Sequence, residues 1–183
     1  MNTRDKTSLL PDIQSQPDGR QLAIDAVGVK GLRYPVTIRS GGADQATVAE
    51  FRMAVGLAPS LKGTHMSRFI ELLEDRASSV DQDRFRAMVL DMLERLGAET
   101  GSIEMRFPYF ASKQAPVSGV ASLVDFDVCW RGSVDAGGAY RFRTQLTASG
   151  TSLCPCSKEI SSYGAHNQRS HIMIDAELAA PVD

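Results

Sequence analysis

The apolar positions of this chain change period twice. In "ATVAEFRMAVGL", Thr47, Ala49, Phe51, Met53 and Val55 fall on one side, with Glu50 and Arg52 on the other. A period of two marks a half-buried strand. The preceding "LAIDAVGVKGLRYPVTIR" is rich in β-branched and aromatic residues and is separated from it by Gly41-Gly42. Two such runs around a glycine pair predict a hairpin. Pro35 cannot donate to a ladder, so it marks a bulge or an edge in the first strand. The period then lengthens. Met66, Phe69, Ile70 and Leu73 recur at helical spacing, as do Phe85, Met88, Val89, Met92, Leu93 and Leu96. These stripes predict two amphipathic helices. Ser79 and Gln82 form a capping-box pattern before the second, and Gly97 is its expected stop.

Alternation returns with Ile103, Met105 and Phe107, then with Val124, Phe126, Val128 and Trp130. Tyr140, Phe142, Thr144 and Leu146 follow a turn at Gly137-Gly138, and Ile172, Ile174, Ala176 and Leu178 form the last run. The order is strand, strand, helix, helix, three strands, a Cys/His loop and a final strand. Alternating strands predict an antiparallel sheet with one covered face. Two helices on that face make an α+β layer architecture. Residues 1–20 are polar, carry Pro11 and Pro17, and are expected to be a flexible arm ahead of one domain over 21–183.

Composition narrows the picture further. Charged residues make up 23% of the chain and its net charge is −2, so no overall field draws it to nucleic acid or an anionic membrane. No apolar run is long enough for a signal peptide or a membrane span. Three cysteines make no disulfide framework and fit a reducing compartment, so a cytoplasmic location is expected.

The chemistry gathers in "TSLCPCSKEISSYGAHNQRSH", which holds two of the three cysteines and two of the three histidines. The segment joins two strands, a position from which a rigid sheet can hold a site. Cys154 and Cys156 flank Pro155, and a C-x-C pair is strained as an internal disulfide. His166 lies within reach of a tight loop. Thiolate and imidazole are preferred ligands of zinc and related divalent ions. The same residues also read as a structural thiol beside a satisfied histidine. With three good donors here and His171 at the start of a strand, a metal site would be open rather than closed. His65, with Lys62 and Arg68 nearby, sits near the start of the first helix, where phosphate can bind. A solvent-exposed first-turn histidine is the alternative. Cys129 reads as an ordinary sheet cysteine, and Asp125 with Asp127 as a solvated strand face.

Two blocks, "TVAEFRMAVGLAPSLKGTHMSRFIELLE" and "TSLCPCSKEISSYGAHNQRSH", resemble the type IB GTP cyclohydrolase family, as does "LPDIQSQPDGRQLAIDAVGVKGLRYPV". The resemblance covers nearly the whole chain. It implies the tunnelling fold, a β-β-α-α-β-β module whose sheets assemble into barrels between subunits, and so a homo-oligomer with sites near subunit interfaces. It implies hydrolysis of GTP to 7,8-dihydroneopterin triphosphate and formate, the first step of tetrahydrofolate biosynthesis, with a divalent metal ion (zinc, manganese or iron). The metal residues carried over are Cys154, also placed as the catalytic cysteine, and His166, with Cys156 as a further ligand or neighbouring thiol. GTP's triphosphate needs cations, and Lys62, His65, Arg68, Lys158 and Arg169 are the substrate-binding candidates. The family is longer. A second module supplies another carboxylate ligand, a guanine-anchoring glutamate and a histidine acid, none with a counterpart in a chain ending "AELAAPVD". The expectation is a chain truncated before that module, weak in metal or inactive alone, with an exposed edge after residue 178 prone to association. Two other readings stay open. One is a related tunnelling-fold enzyme using a cysteine nucleophile to reduce a nitrile. The other is a non-catalytic metal-binding scaffold.

Overall fold

A computed structural model describes Pro17 and residues 19–180, so the arm expected over residues 1–20 lies almost wholly outside the described residues. The elements are β1 (Ile24–Ser40), β2 (Ala43–Leu57), α1 (Ser67–Arg76), α2 (Gln82–Leu96), β3 (Gly101–Gln114), β4 (Ala121–Val134), β5 (Tyr140–Leu153), α3 (Pro155–Ile160) and β6 (Asn167–Leu178). The strands form one sheet in the order β1-β2-β3-β4-β5-β6, with every neighbouring pair antiparallel. The α+β reading holds, with one addition: the segment expected to be a plain loop contains α3.

The β1–β2 hairpin closes through Gly41 (φ 56°) and Gly42 (φ 75°) between the paired Ser40 and Ala43. Two successive left-handed residues match the right-handed twist of the strands they join. Register slips in β1 lie between Ile24 and Val27 and between Lys30 and Leu32. Pro35 pairs in register with Val48, and β1 is an outer strand of the sheet, so the edge rather than a bulge accommodates this proline.

The helical stripes face the sheet. Phe69, Leu72 and Leu73 of α1 and Phe85, Met88 and Val89 of α2 are fully buried against Phe51, Met53, Ile103 and Met105. Trp130 stands edge-on to Phe85, Phe107 and Phe142, with ring centroids 5.7, 5.4 and 5.7 Å away. Arg76 and Arg95 both bind Asp91, at 2.8 and 2.7 Å, which ties α1 to α2. The capping of α2 differs from the expected box. Val80 is drawn into a bridge with Ile38, through Val80 N to Thr37 O at 2.8 Å and Arg39 N to Val80 O at 2.9 Å. That pairing holds the chain extended up to Asp81, whose carboxylate accepts the Arg84 amide at 2.7 Å as the cap. Gly97 ends α2 in the left-handed region as expected, at φ 60°.

The helices do not cover the whole face. Ile172 and Ile174 of β6, on the face that carries the helices, are 56% and 55% exposed. The other face is a charged lattice in which Glu104 holds Arg106 and Arg131 at 2.8 and 2.7 Å and Asp175 holds Arg143 at 3.2 Å. Cys129 is buried beneath that lattice.

Candidate functional site

The sheet delivers the Cys/His segment to one end of β5 and β6. Their last paired rung is Leu153 with Asn167. One position further, the Cys154 amide donates to the His166 carbonyl at 3.3 Å, so these two residues face each other where the next rung would fall. Residues opposite on adjacent strands hold their Cβ atoms roughly 4.5–5.5 Å apart. The eleven residues between them in sequence are thus folded out as a loop around α3.

Pro155 begins α3, where its fixed φ and missing N–H carry no cost. Cys154 is the N-cap, in extended conformation, and its carbonyl accepts the first helical bond from Lys158 N at 3.3 Å. Ser157 joins the two ends of the loop. Its hydroxyl donates to the Cys154 carbonyl at 3.2 Å and accepts the His166 amide at 3.3 Å. The Cys154 thiol is held below its ordinary range, chiefly because the Ser157 amide N–H donates to its sulfur. A thiolate is the form that binds metal or attacks an electrophile. Cys129 is pushed the other way, its thiol raised by burial, which keeps it protonated and matches its reading as a sheet cysteine.

The other candidates fall into two groups. Cys156 and Lys158 are exposed on α3. Arg169 lies on β6 and donates to the Ser149 hydroxyl at 3.2 Å; the same hydroxyl is 3.5 Å from Nδ1 of His171. All of these sit at the Cys154 end of the sheet. Lys62, His65 and Arg68 sit at the other end. Arg68 donates to the Arg95 carbonyl in the last turn of α2, and α2 leads directly into the first rungs of β3. Gly101 there pairs with Val134, which pairs with Tyr140 at the start of β5. Cys154 follows the far end of that strand, on the order of 40 Å away along it. One chain therefore does not bring the phosphate candidates Lys62, His65 and Arg68 to its own Cys/His loop. His65 also precedes α1, whose first residue is Ser67, rather than opening it.

Sequence reasoning did not single out Ser157 or Ser149. A serine one residue beyond C-P-C, in the first turn of a helix begun by proline, was the available signal for Ser157. Among the described residues no three His, Cys, Asp or Glu side chains converge on one point. The donor set at Cys154 and His166 nonetheless fits a late first-row divalent ion: one soft cysteine sulfur whose thiol is held below its ordinary range and one imidazole, on adjoining backbone. Two donors make half of a ligand set. No helix among the described residues is long and apolar enough to cross a membrane.

Residues 10–183 match the family model described as type I GTP cyclohydrolase folE2. Among similar curated proteins is the GTP cyclohydrolase FolE2 of Azoarcus sp. strain BH72. It is 52% identical over 171 residues, which are 92% of this chain and 63% of that protein. The GTP cyclohydrolase FolE2 of Burkholderia thailandensis is 51% identical over 183 residues, covering 100% of this chain and 68% of its own. That of Cupriavidus necator is 52% identical over 179 residues, 98% of this chain and 67% of its own. The chain thus spans about two thirds of the length of these relatives, and by this similarity it belongs to the type I GTP cyclohydrolase FolE2 family.

Proposed function

We propose that this chain carries the Cys/His part of a metal-dependent GTP cyclohydrolase that converts GTP to 7,8-dihydroneopterin triphosphate and formate in folate biosynthesis. The observation that carries the reading is the facing pair Cys154 and His166 in a chain of this family. Cys154 and His166 would hold a divalent ion (zinc, manganese or iron), with Cys156 close enough in sequence to join them. Such an ion, when bound, supplies a water of lowered pKa. The chain's own contribution is to lower the Cys154 thiol's pKa through hydrogen bonds from Ser157 and Cys156 at the start of α3 and to fix His166 opposite it. Lys158 and Arg169 are the cations at that end of the sheet suited to the GTP triphosphate. Lys62, His65 and Arg68 meet a Cys/His loop most simply when it belongs to another copy. A homo-oligomer of the tunnelling type, with sites near subunit interfaces, accounts for that separation. The open edges of β1 and β6 and the exposed Ile172 and Ile174 support it. The remaining ligands, the guanine anchor and the general acid would come from the third of the relatives' length that this chain does not span.

The test is GTP turnover with added zinc, manganese or iron, read as fluorescence of oxidised neopterin. It is run on this chain and on this chain joined to the remaining segment of the Burkholderia thailandensis relative. Product is expected from the joined form and lost in its Cys154→Ala and His166→Ala variants. Undiminished product after Cys154→Ala would sink the reading. The depressed thiol also suits a cysteine nucleophile. Consumption of NADPH with a nitrile substrate, and no formate release from GTP, would favour that alternative.

A further inference from the structure

We infer that Ser157 is a positioning residue for the metal pair, its hydroxyl standing in for one missing hydrogen bond of the sheet rung between Cys154 and His166. This rests on the reading of Cys154 and His166 as ligands proposed above. The argument begins with register. Every pair in the β5–β6 ladder, from Phe142 with Leu178 to Leu153 with Asn167, steps by one residue on each strand. The next pair in that series is Cys154 with His166. In an antiparallel ladder a closely bonded pair exchanges two N–H to O bonds. Here one of the two is made, Cys154 N to His166 O at 3.3 Å. The other is not direct. The His166 amide donates instead to Ser157 Oγ at 3.3 Å, and that hydroxyl donates to the Cys154 carbonyl at 3.2 Å. A single oxygen therefore relays the second bond.

Three further observations support a dedicated role. The relay comes from the loop that the two ligands enclose, so it ties the loop's first residues to its last. Cys154, Ser157 and Ala165 alone are partly buried in the stretch 154–166, and α3 buries no residue at all. Apolar packing does not hold α3 in place, so hydrogen bonds such as the Ser157 relay must do so. The Cys154 carbonyl also accepts Lys158 N at 3.3 Å, so it receives both the helix and the relay. With the relay in place, the side chains at 154 and 166 are held on neighbouring backbone by one direct and one relayed hydrogen bond. Removing the hydroxyl leaves the His166 amide and one lone pair of the Cys154 carbonyl to water, and the rung is then free either to close or to fray. Partners of this outer kind typically alter metal affinity about 10–100-fold when removed.

The experiment is a titration of the metal-free chain with cobalt(II), read by the thiolate-to-cobalt absorption band. It compares the parent with Ser157→Ala, Ser157→Thr, Cys154→Ala and His166→Ala. Ser157→Ala is expected to weaken cobalt about 10-fold or more. Ser157→Thr, which keeps the hydroxyl, should stay within a few-fold of the parent, and the two ligand variants should lose the band. Parent-like affinity in Ser157→Ala, with the band lost in Cys154→Ala and His166→Ala, overturns the inference and leaves the ligand reading standing. Parent-like affinity in either ligand variant overturns the ligand reading and this inference with it. A second measurement needs no metal. Amide hydrogen exchange at His166 should speed up about 10-fold in Ser157→Ala and not in Ser157→Thr, with the Cys129 amide in the middle of β4 unchanged. If the parent takes up no cobalt, the exchange result decides, and unchanged protection at His166 refutes the relay.

Discussion

Gly132 sets how closely α2 can approach the sheet, and replacing it by alanine measures that approach. The residue lies in β4, opposite Ile103 and Phe142. An added Cβ would stand 2.8 Å from Val89 Cγ2, 2.9 Å from the Tyr140 hydroxyl and 3.1 Å from Phe85 Cε1. Val89 and Phe85 are fully buried and Phe85 is hemmed in by Trp130 and Phe142, so neither can retreat. Overpacking of this kind costs about 1–3 kcal/mol. Alanine returns about 0.5–1 kcal/mol by restricting the unfolded chain. The balance is a loss centred on about 1 kcal/mol, or roughly 2–4 °C in Tm for a chain of this size. Tyr140 supplies an internal control. Its hydroxyl is buried without a hydrogen-bond partner among the described residues, and burial pushes its pKa up to about 12. Tyr140→Phe removes one of the three close neighbours and an unsatisfied polar atom, so it should be neutral or stabilising. It should also recover part of the Gly132→Ala loss. Urea denaturation of the two single variants and the double variant gives the coupling directly. A Gly132→Ala loss below about 0.5 kcal/mol, or strict additivity with Tyr140→Phe, would refute the packing argument.

Other expectations concern the helix pair and the first turn. Asp91→Asn removes the carboxylate shared by Arg95 and Arg76 and should cost about 1–2 kcal/mol at neutral pH, discounted because Arg76 is half exposed. The hydrogen bond from Arg95 holds the Asp91 carboxyl below its usual range. Its contribution is therefore complete above the unfolded value of about 4 and is lost as pH falls through the lower folded value. Denaturation curves of parent and Asp91→Asn should converge in acid, and a gap that stays constant with pH would count against the ion pair. Gly42→Ala meets nothing within 4 Å yet sits at φ 75°, so a loss of about 1 kcal/mol would be purely backbone strain. A loss near zero would mean the turn can change type.

The six strands and two long helices were legible because each keeps one period over its length. Phe51, Met53, Met88 and Val89 all lie where alternation or the helical stripe placed them. The start of α2 was misread because Ser79 and Gln82 satisfy a local rule, whereas Val80 answers to Ile38, more than forty residues away. The helix α3 was missed because six residues are too few to show a period, and because it buries nothing. Within the Cys/His segment the residue types pointed to the chemistry, but the facing of Cys154 and His166 depends on the register of β5 with β6, which no local pattern encodes. The separation of Arg68 from Cys154 is likewise a property of strand length and connection order.

That connection order has a kinetic consequence. Among the described residues each strand pairs only with its neighbours in the chain, and helices intervene between β2 and β3 and, as the short α3, between β5 and β6. The sheet can therefore grow one strand at a time, each onto its predecessor, as the chain leaves the ribosome. Among the described strands, β5 and β6 come latest in chain order. Until they zip, Cys154 and His166 are two unrelated residues on a flexible strand, and the Ser157 hydroxyl has no rung to bridge. If these two residues hold a metal ion, as proposed above, the ion would find them paired only after β5 and β6 have joined. Under the proposed reading, loading would be reserved for chains in which this hairpin has formed, and the Cys154 thiol would be spared an early, unselective encounter with whatever ion is most abundant.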